Sequence, residues 1–151
     1  MKDQLVDLLS YLNLDEFIAL DLETTGLDTE NDNIIEISAC RFINGKFIED
    51  YSTLLNPQIN IPDKITEITG ITNKMVAGAP SIDKVLPEML DFIGKLPIIG
   101  HNVTFDYNFL CNSCKNNSIP YSELLLYDTY SLARMLLYYN TNFSLVALCN
   151  L

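Results

Sequence analysis

A chain of 151 residues with 48% hydrophobic and 19% charged side chains is long enough for one domain with a real core and too apolar for disorder. With 20 acids against 9 bases the net charge is −11, which excludes a broad basic surface for gripping nucleic acid through its phosphates. No apolar run is long enough to span a membrane, and four scattered cysteines without a leader-like N-terminus predict a reduced, cytoplasmic protein.

Residues 3–12 set Leu5, Leu8, Leu9 and Leu12 at helical spacing, which predicts a short amphipathic helix within an N-terminal extension, residues 1–14. Residues 17–27 then form an apolar run closed by Thr24-Thr25-Gly26, the pattern of a short buried strand. A polar loop follows over residues 28–33. Strands are predicted over Ile34–Ile43 and residues 47–55, joined by Asn44-Gly45, a two-residue hairpin signal because both positions tolerate positive φ. Glu36, inside the first of these, reads either as a solvated strand end or as a neighbour of the site. Asp63 is the expected N-cap of a short helix through Ile65 and Ile68 that stops at Gly70.

Ser81 opens the next helix, whose Val85, Leu86, Met89, Leu90 and Ile93 share one face, and Gly94 ends it. Residues 96–100 read as a short buried strand with His101-Asn102 at its tip. A helix over residues 105–114, a strand over 124–127 ending in Asp128-Thr129, and a helix over 129–138 follow. Ser144 caps a last helix containing Leu145, Leu148 and Leu151. This order implies an α/β fold with one mixed five-stranded sheet, antiparallel at the hairpin and parallel through the crossovers. Ligands in such sheets bind at the carboxyl ends of the strands, where Asp21, Glu23, His101 and Asp128 fall.

Side chains alternate along a strand, so Asp21 and Glu23 project from the same face. Two carboxylates side by side either face water at a strand end or share a cation, and magnesium or manganese with hard oxygen ligands suits the second case. Asp106 lies in the first turn of its predicted helix, where an acid complements the helix dipole by ~0.3–1 kcal/mol. It also faces the crevice of Asp21 and Glu23, and three acids there make the ligand set of a two-metal phosphoryl-transfer site. Cys111 and Cys114 form a C-x-x-C pair, but zinc needs about four ligands and only Cys149 and His101 remain, so a buried helix face is the expectation.

Leu20-Asp21-Leu22-Glu23-Thr24-Thr25-Gly26-Leu27 resembles the first motif of the DEDD 3′–5′ exonucleases, which include the proofreading subunits of bacterial DNA polymerase III. His101-Asn102 through Phe105-Asp106 is similar to their second motif, and Tyr127-Asp128-Thr129 to the run before their third. The resemblance covers residues 17–151 and implies a ribonuclease H-like fold. It further implies two divalent ions, Mg²⁺ or Mn²⁺, held by Asp21, Glu23 and Asp106. Thr24, Thr25, Gly26 and Leu27 would line the pocket of the 3′-terminal nucleotide, and His101, Asn102 and Phe105 would lie along the scissile phosphate. The implied partners are the 3′ end of single-stranded DNA or RNA and a DNA polymerase subunit. The family's third motif, with its general-base histidine and fourth acid, would begin past Leu151. The expectation is therefore a truncated domain with little activity. The alternative is a non-catalytic module that binds a nucleic-acid end or a polymerase subunit.

Overall fold

Strands β1 (Glu16–Thr24), β2 (Ile34–Ile43), β3 (Lys46–Leu54), β4 (Ile98–Gly100) and β5 (Leu126–Asp128) form one sheet in the order β3-β2-β1-β4-β5. The β1–β2 and β2–β3 pairs are antiparallel, and the β1–β4 and β4–β5 pairs are parallel, so the predicted mixed sheet is the one the chain adopts. This computed structural model describes residues 9–151. Of the expected N-terminal helix, Leu5 and Leu8 lie outside the described residues. Residues 9–11 are helical, and the turn is closed by the Leu14 amide donating to the Leu9 carbonyl at 2.7 Å.

The hairpin follows from its two central residues. Asn44 has φ 50° and Gly45 φ 72°, the doubly left-handed turn whose twist matches the flanking strands, and it sets Ile43 opposite Lys46. At the other end of β2 the register slips: Glu23 faces Glu36, but Thr24 faces Ile34. A bulge of this kind reverses which face each side chain takes. Ile34 thus joins the main core, and its neighbour Ile35 a second, smaller cluster with Ile61, Ile71 and Val76.

Helices α1 (Asp63–Thr69) and α2 (Asn73–Val76) precede α3 (Ile82–Ile93), α4 (Val103–Asn116), α5 (Thr129–Leu136) and α6 (Leu145–Cys149). Ile18, Leu20 and Leu22 of β1 bury one face of the sheet against Leu86, Met89 and Ile93 of α3 and Phe109, Leu110 and Cys114 of α4. Several boundaries move from the expected ones. Pro62, not Asp63, occupies the N-cap of α1, and Asp63 is its first helical residue. The α2 turn has no apolar period to announce it; Thr72 caps it by accepting from the Met75 amide at 3.3 Å. α4 begins two residues early because Asn102, at φ 65°, makes the turn out of β4. α5 ends at Leu136, and α6 leaves out Leu151. All four cysteines are free, and Cys114, in the core, has its thiol pushed up to about 11 by burial and by neighbouring Cys111.

Candidate active site

β1 supplies the first two acids. The odd residues of its second half, Asp21 and Glu23, stand on the face that α3 and α4 do not cover, opposite Ser38 and Glu36 of β2. The third acid arrives through a backbone vacancy. Strand β4 is short and pairs only Ile18 and Ala19 of β1 with Ile98 and Ile99, so the amide of Leu22 beyond it finds no partner from β4. A buried amide must be satisfied, and Asp106 of α4 satisfies it, accepting from Leu22 N at 2.9 Å. Leu22 lies between Asp21 and Glu23, so this bond sets the Asp106 carboxylate at the strand edge beside both acids.

The electrostatics record that crowding. Asp106 is 5% exposed, and burial, with the charges of Asp21 and Glu23 adding to it, pushes its pKa up to about 6 despite the Leu22 hydrogen bond. Desolvation raises Asp21. Glu23 is raised by desolvation, then by the charges of Asp21 and Glu36. Glu36, whose role the sequence left open, is therefore a neighbour of the acid cluster. Hard oxygen donors that resist ionisation mainly through desolvation, with neighbouring charge adding at Glu23 and Asp106, fit a divalent cation, whose charge would favour all three carboxylates. Among the described residues, however, no three His, Cys, Asp or Glu side chains are arranged to hold a metal ion as they stand.

The loop after β1 is built around Asp32. Thr25 Oγ1 donates to Asp32 Oδ1 at 3.0 Å and accepts from the Asn33 amide, while Asp28 N donates to Asp32 Oδ2 at 2.9 Å. Thr24 Oγ1 donates to the Gly26 carbonyl at 2.6 Å. Both threonine hydroxyl protons are thus engaged inside the loop, and its outward surface is the Gly26 backbone and Leu27, which is 82% exposed. A Cβ on Gly26 would lie 2.3 Å from Asp32 Oδ2, so any larger residue displaces the carboxylate that braces the loop. Asn112 of α4 ties the loop down by donating to the Thr29 carbonyl.

The remaining expected residues fall into two groups. His101 lines a cavity of about 330 Å³ together with Asp21, Ser38, Cys40, Thr129 and Leu145, and Asn102 sits exposed at the start of α4. Phe105 is half-buried and packs against the main core, its ring 4.9 Å from Phe109. Asp128 is a structural clip. Its Oδ1 accepts from Asn102 N at 2.7 Å and Tyr130 N at 3.1 Å, and its Oδ2 from Ser131 Oγ at 2.7 Å. Partial burial pulls its pKa up, but these donors outweigh it and hold the carboxylate below its ordinary range. Sequence reasoning missed Asp32 altogether, and it placed Asp128 at a strand end without finding its clipping role. Their signals are slight: an Asp four residues after Asp28 in a turn-rich loop, and an Asp-Thr at a strand end.

Comparison with known proteins follows the same outline. The family model described as exonuclease matches residues 18–150. The PolC-type DNA polymerase III of Clostridium perfringens is 42% identical over 125 residues, which cover 81% of this chain and 8% of that protein. The DNA polymerase III subunit epsilon of Aquifex aeolicus is 41% identical over 110 residues, 73% of this chain and 51% of that one. The chain thus spans under a tenth of the PolC-type relative and about half of the epsilon subunit. Exonuclease X, solved in complex with 5′-overhanging duplex DNA, superposes with a TM-score of 0.67 and 30% identity over 87% of this chain and 70% of that one.

Proposed function

Because the chain belongs to the exonuclease family, we propose that it removes nucleotides from the 3′ end of DNA, with Asp21, Glu23 and Asp106 holding the divalent ions the reaction needs. The observation that carries this is the Asp106–Leu22 hydrogen bond, which brings the third acid to the strand edge between the other two. Divalent-metal dependence belongs to the family as a whole; the all-carboxylate donor set favours Mg²⁺ or Mn²⁺, and the resemblance implies two ions. When bound, such ions supply an activated water and neutralise charge on the phosphodiester.

The chain's own residues bind and orient. The Asp32-braced loop of Thr24, Thr25, Gly26 and Leu27 faces the terminal nucleotide with backbone amides and the Leu27 side chain. His101 and Asn102, clipped to β5 by Asp128, border the path of the scissile phosphate. Phe105 backs this wall from the core. A net charge of −11 confines binding to a few nucleotides at an end, since there is no basic groove to hold a long strand. Polymerase relatives make a replicative DNA end, single-stranded or recessed, the favoured substrate over RNA, and a DNA polymerase the favoured partner.

The test is 5′-labelled single-stranded and recessed-end DNA incubated with the protein and Mg²⁺ or Mn²⁺. The expected product is a ladder shortening from the 3′ end that vanishes in Asp21→Ala. A ladder that persists in that variant sinks the assignment. The open arrangement of the acids favours one second reading, a module that binds a DNA end without cleaving it. Calorimetric titration of Mn²⁺ with a nucleoside monophosphate separates the two: two-ion stoichiometry belongs to the enzyme, no metal uptake to the module.

A further inference from the structure

The corner where β4 meets β5 sets one hydroxyl between a carbonyl oxygen and an imidazole nitrogen. Thr129 Oγ1 lies 3.0 Å from the Gly100 carbonyl oxygen and 3.1 Å from His101 Nδ1. A hydroxyl carries a single proton and a carbonyl can only accept, so that proton points at Gly100. With both contacts made as hydrogen bonds, the hydroxyl accepts from the imidazole and Nδ1 carries the proton.

We propose that Thr129 is a positioning residue for His101: it holds the neutral ring as the Nδ1–H tautomer and presents Nε2 as a bare hydrogen-bond acceptor on the cavity shared with Asp21. The neighbouring residues complete the grip. The Tyr130 ring stands edge-on to the imidazole at 5.5 Å and 90°, and Asp128 pins the amide of Asn102, the residue after the histidine. Three consecutive residues of one corner thereby fix the position, rotation and tautomer of a side chain on another.

The chemical consequence concerns what the ring recognises. Nε2 without a proton cannot donate to a phosphate oxygen; it accepts from a group that brings its own proton. On the nuclease reading, on which this inference rests, that group is a hydroxyl at the strand end, either the 3′-hydroxyl of the terminal nucleotide or a water beside the scissile phosphate.

The sequence holds one histidine, so nitrogen NMR of protein labelled at histidine reports on His101 without ambiguity. At a pH where the ring is neutral, the expected spectrum has the proton on Nδ1 in the wild type and in Thr129→Ser, and on Nε2 in Thr129→Val. A wild-type ring protonated at Nε2, or a Thr129→Val spectrum identical to wild type, overturns the proposal. This readout needs no turnover, so it stands even if no nuclease activity is found, an outcome that would sink the functional reading alone. With activity present, Thr129→Val should lower kcat roughly tenfold, the worth of about one hydrogen bond, with KM little changed, and Thr129→Ser should restore it. DNA ending in a dideoxynucleotide separates the two hydroxyl sources. If Nε2 meets the sugar, the His101→Ala penalty disappears on that substrate; if it meets water, the penalty remains. No His101→Ala penalty on either substrate contradicts the proposal.

Discussion

The two faces of β1 divide the work of the molecule. Ile18, Leu20 and Leu22 are buried against α3 and α4, while Asp21 and Glu23, interleaved with them, hold charge on the opposite side. One face is fully packed and stores stability; the other concentrates repulsion and lines a cavity of about 330 Å³. A period-2 strand can carry both only because neighbouring side chains never share a face. The difference teaches that stability and function should respond oppositely to substitution along a single strand and along α4, which contacts both regions.

The largest effect should fall on the packed side. Phe109→Ala empties a fully buried site and should cost ~3–5 kcal/mol, read as a shift in urea midpoint. A loss below ~1 kcal/mol would mean this face does not hold the fold. On the charged side, Asp21→Asn should lower exonuclease rate at least ~10²-fold while the melting temperature of the metal-free protein stays level or rises. A coupled fall in melting temperature would remove the contrast between the faces.

Asp106 sharpens the comparison, since it sits on the packing helix yet belongs to the acid cluster. Its folded pKa of about 6 lies above the ordinary 3.8. The stability it contributes is therefore fully present below about 3.8 and lost as pH rises through about 6. The metal-free protein should gain roughly 2 kcal/mol on going from pH 7.5 to 4.5. Asp106→Asn, whose amide oxygen still accepts from Leu22 N, should flatten that dependence in denaturant titrations. An unchanged slope would place the ionisation elsewhere. The smallest effect is expected at the loop. Gly26→Ala displaces an Asp32 carboxylate that holds Thr25 and Asp28, at a cost of ~1–2 kcal/mol. It should raise KM for DNA more than it lowers kcat, and equal KM values would show that the loop does not meet the substrate.

Local pattern carried most of the architecture. Alternation in residues 17–24, Asn44-Gly45 at the hairpin and the apolar face of 82–93 specified strands, turn and helix, because each is decided within a few residues. Boundaries drifted where a tertiary hydrogen bond ended an element: Asn102 in its left-handed turn, held by Asp128, starts α4 early. Phe105 shows the limit most clearly. Its place in the second motif set an expectation about the scissile phosphate, but only the assembled fold shows the half-buried ring packing beside Phe109.

By itself the sequence determined that Asp21 and Glu23 share a face and that the chain folds as a mixed sheet, since both follow from periodicity along one backbone. Only the tertiary structure decided that the Leu22 amide is what holds Asp106 beside them, that Asp32 braces the loop and that the Thr129 hydroxyl meets the His101 ring. Each of those depends on which amide, hydroxyl or carboxylate is left unpaired once strands of unequal length are laid side by side, and nothing short of the assembled sheet contains that information.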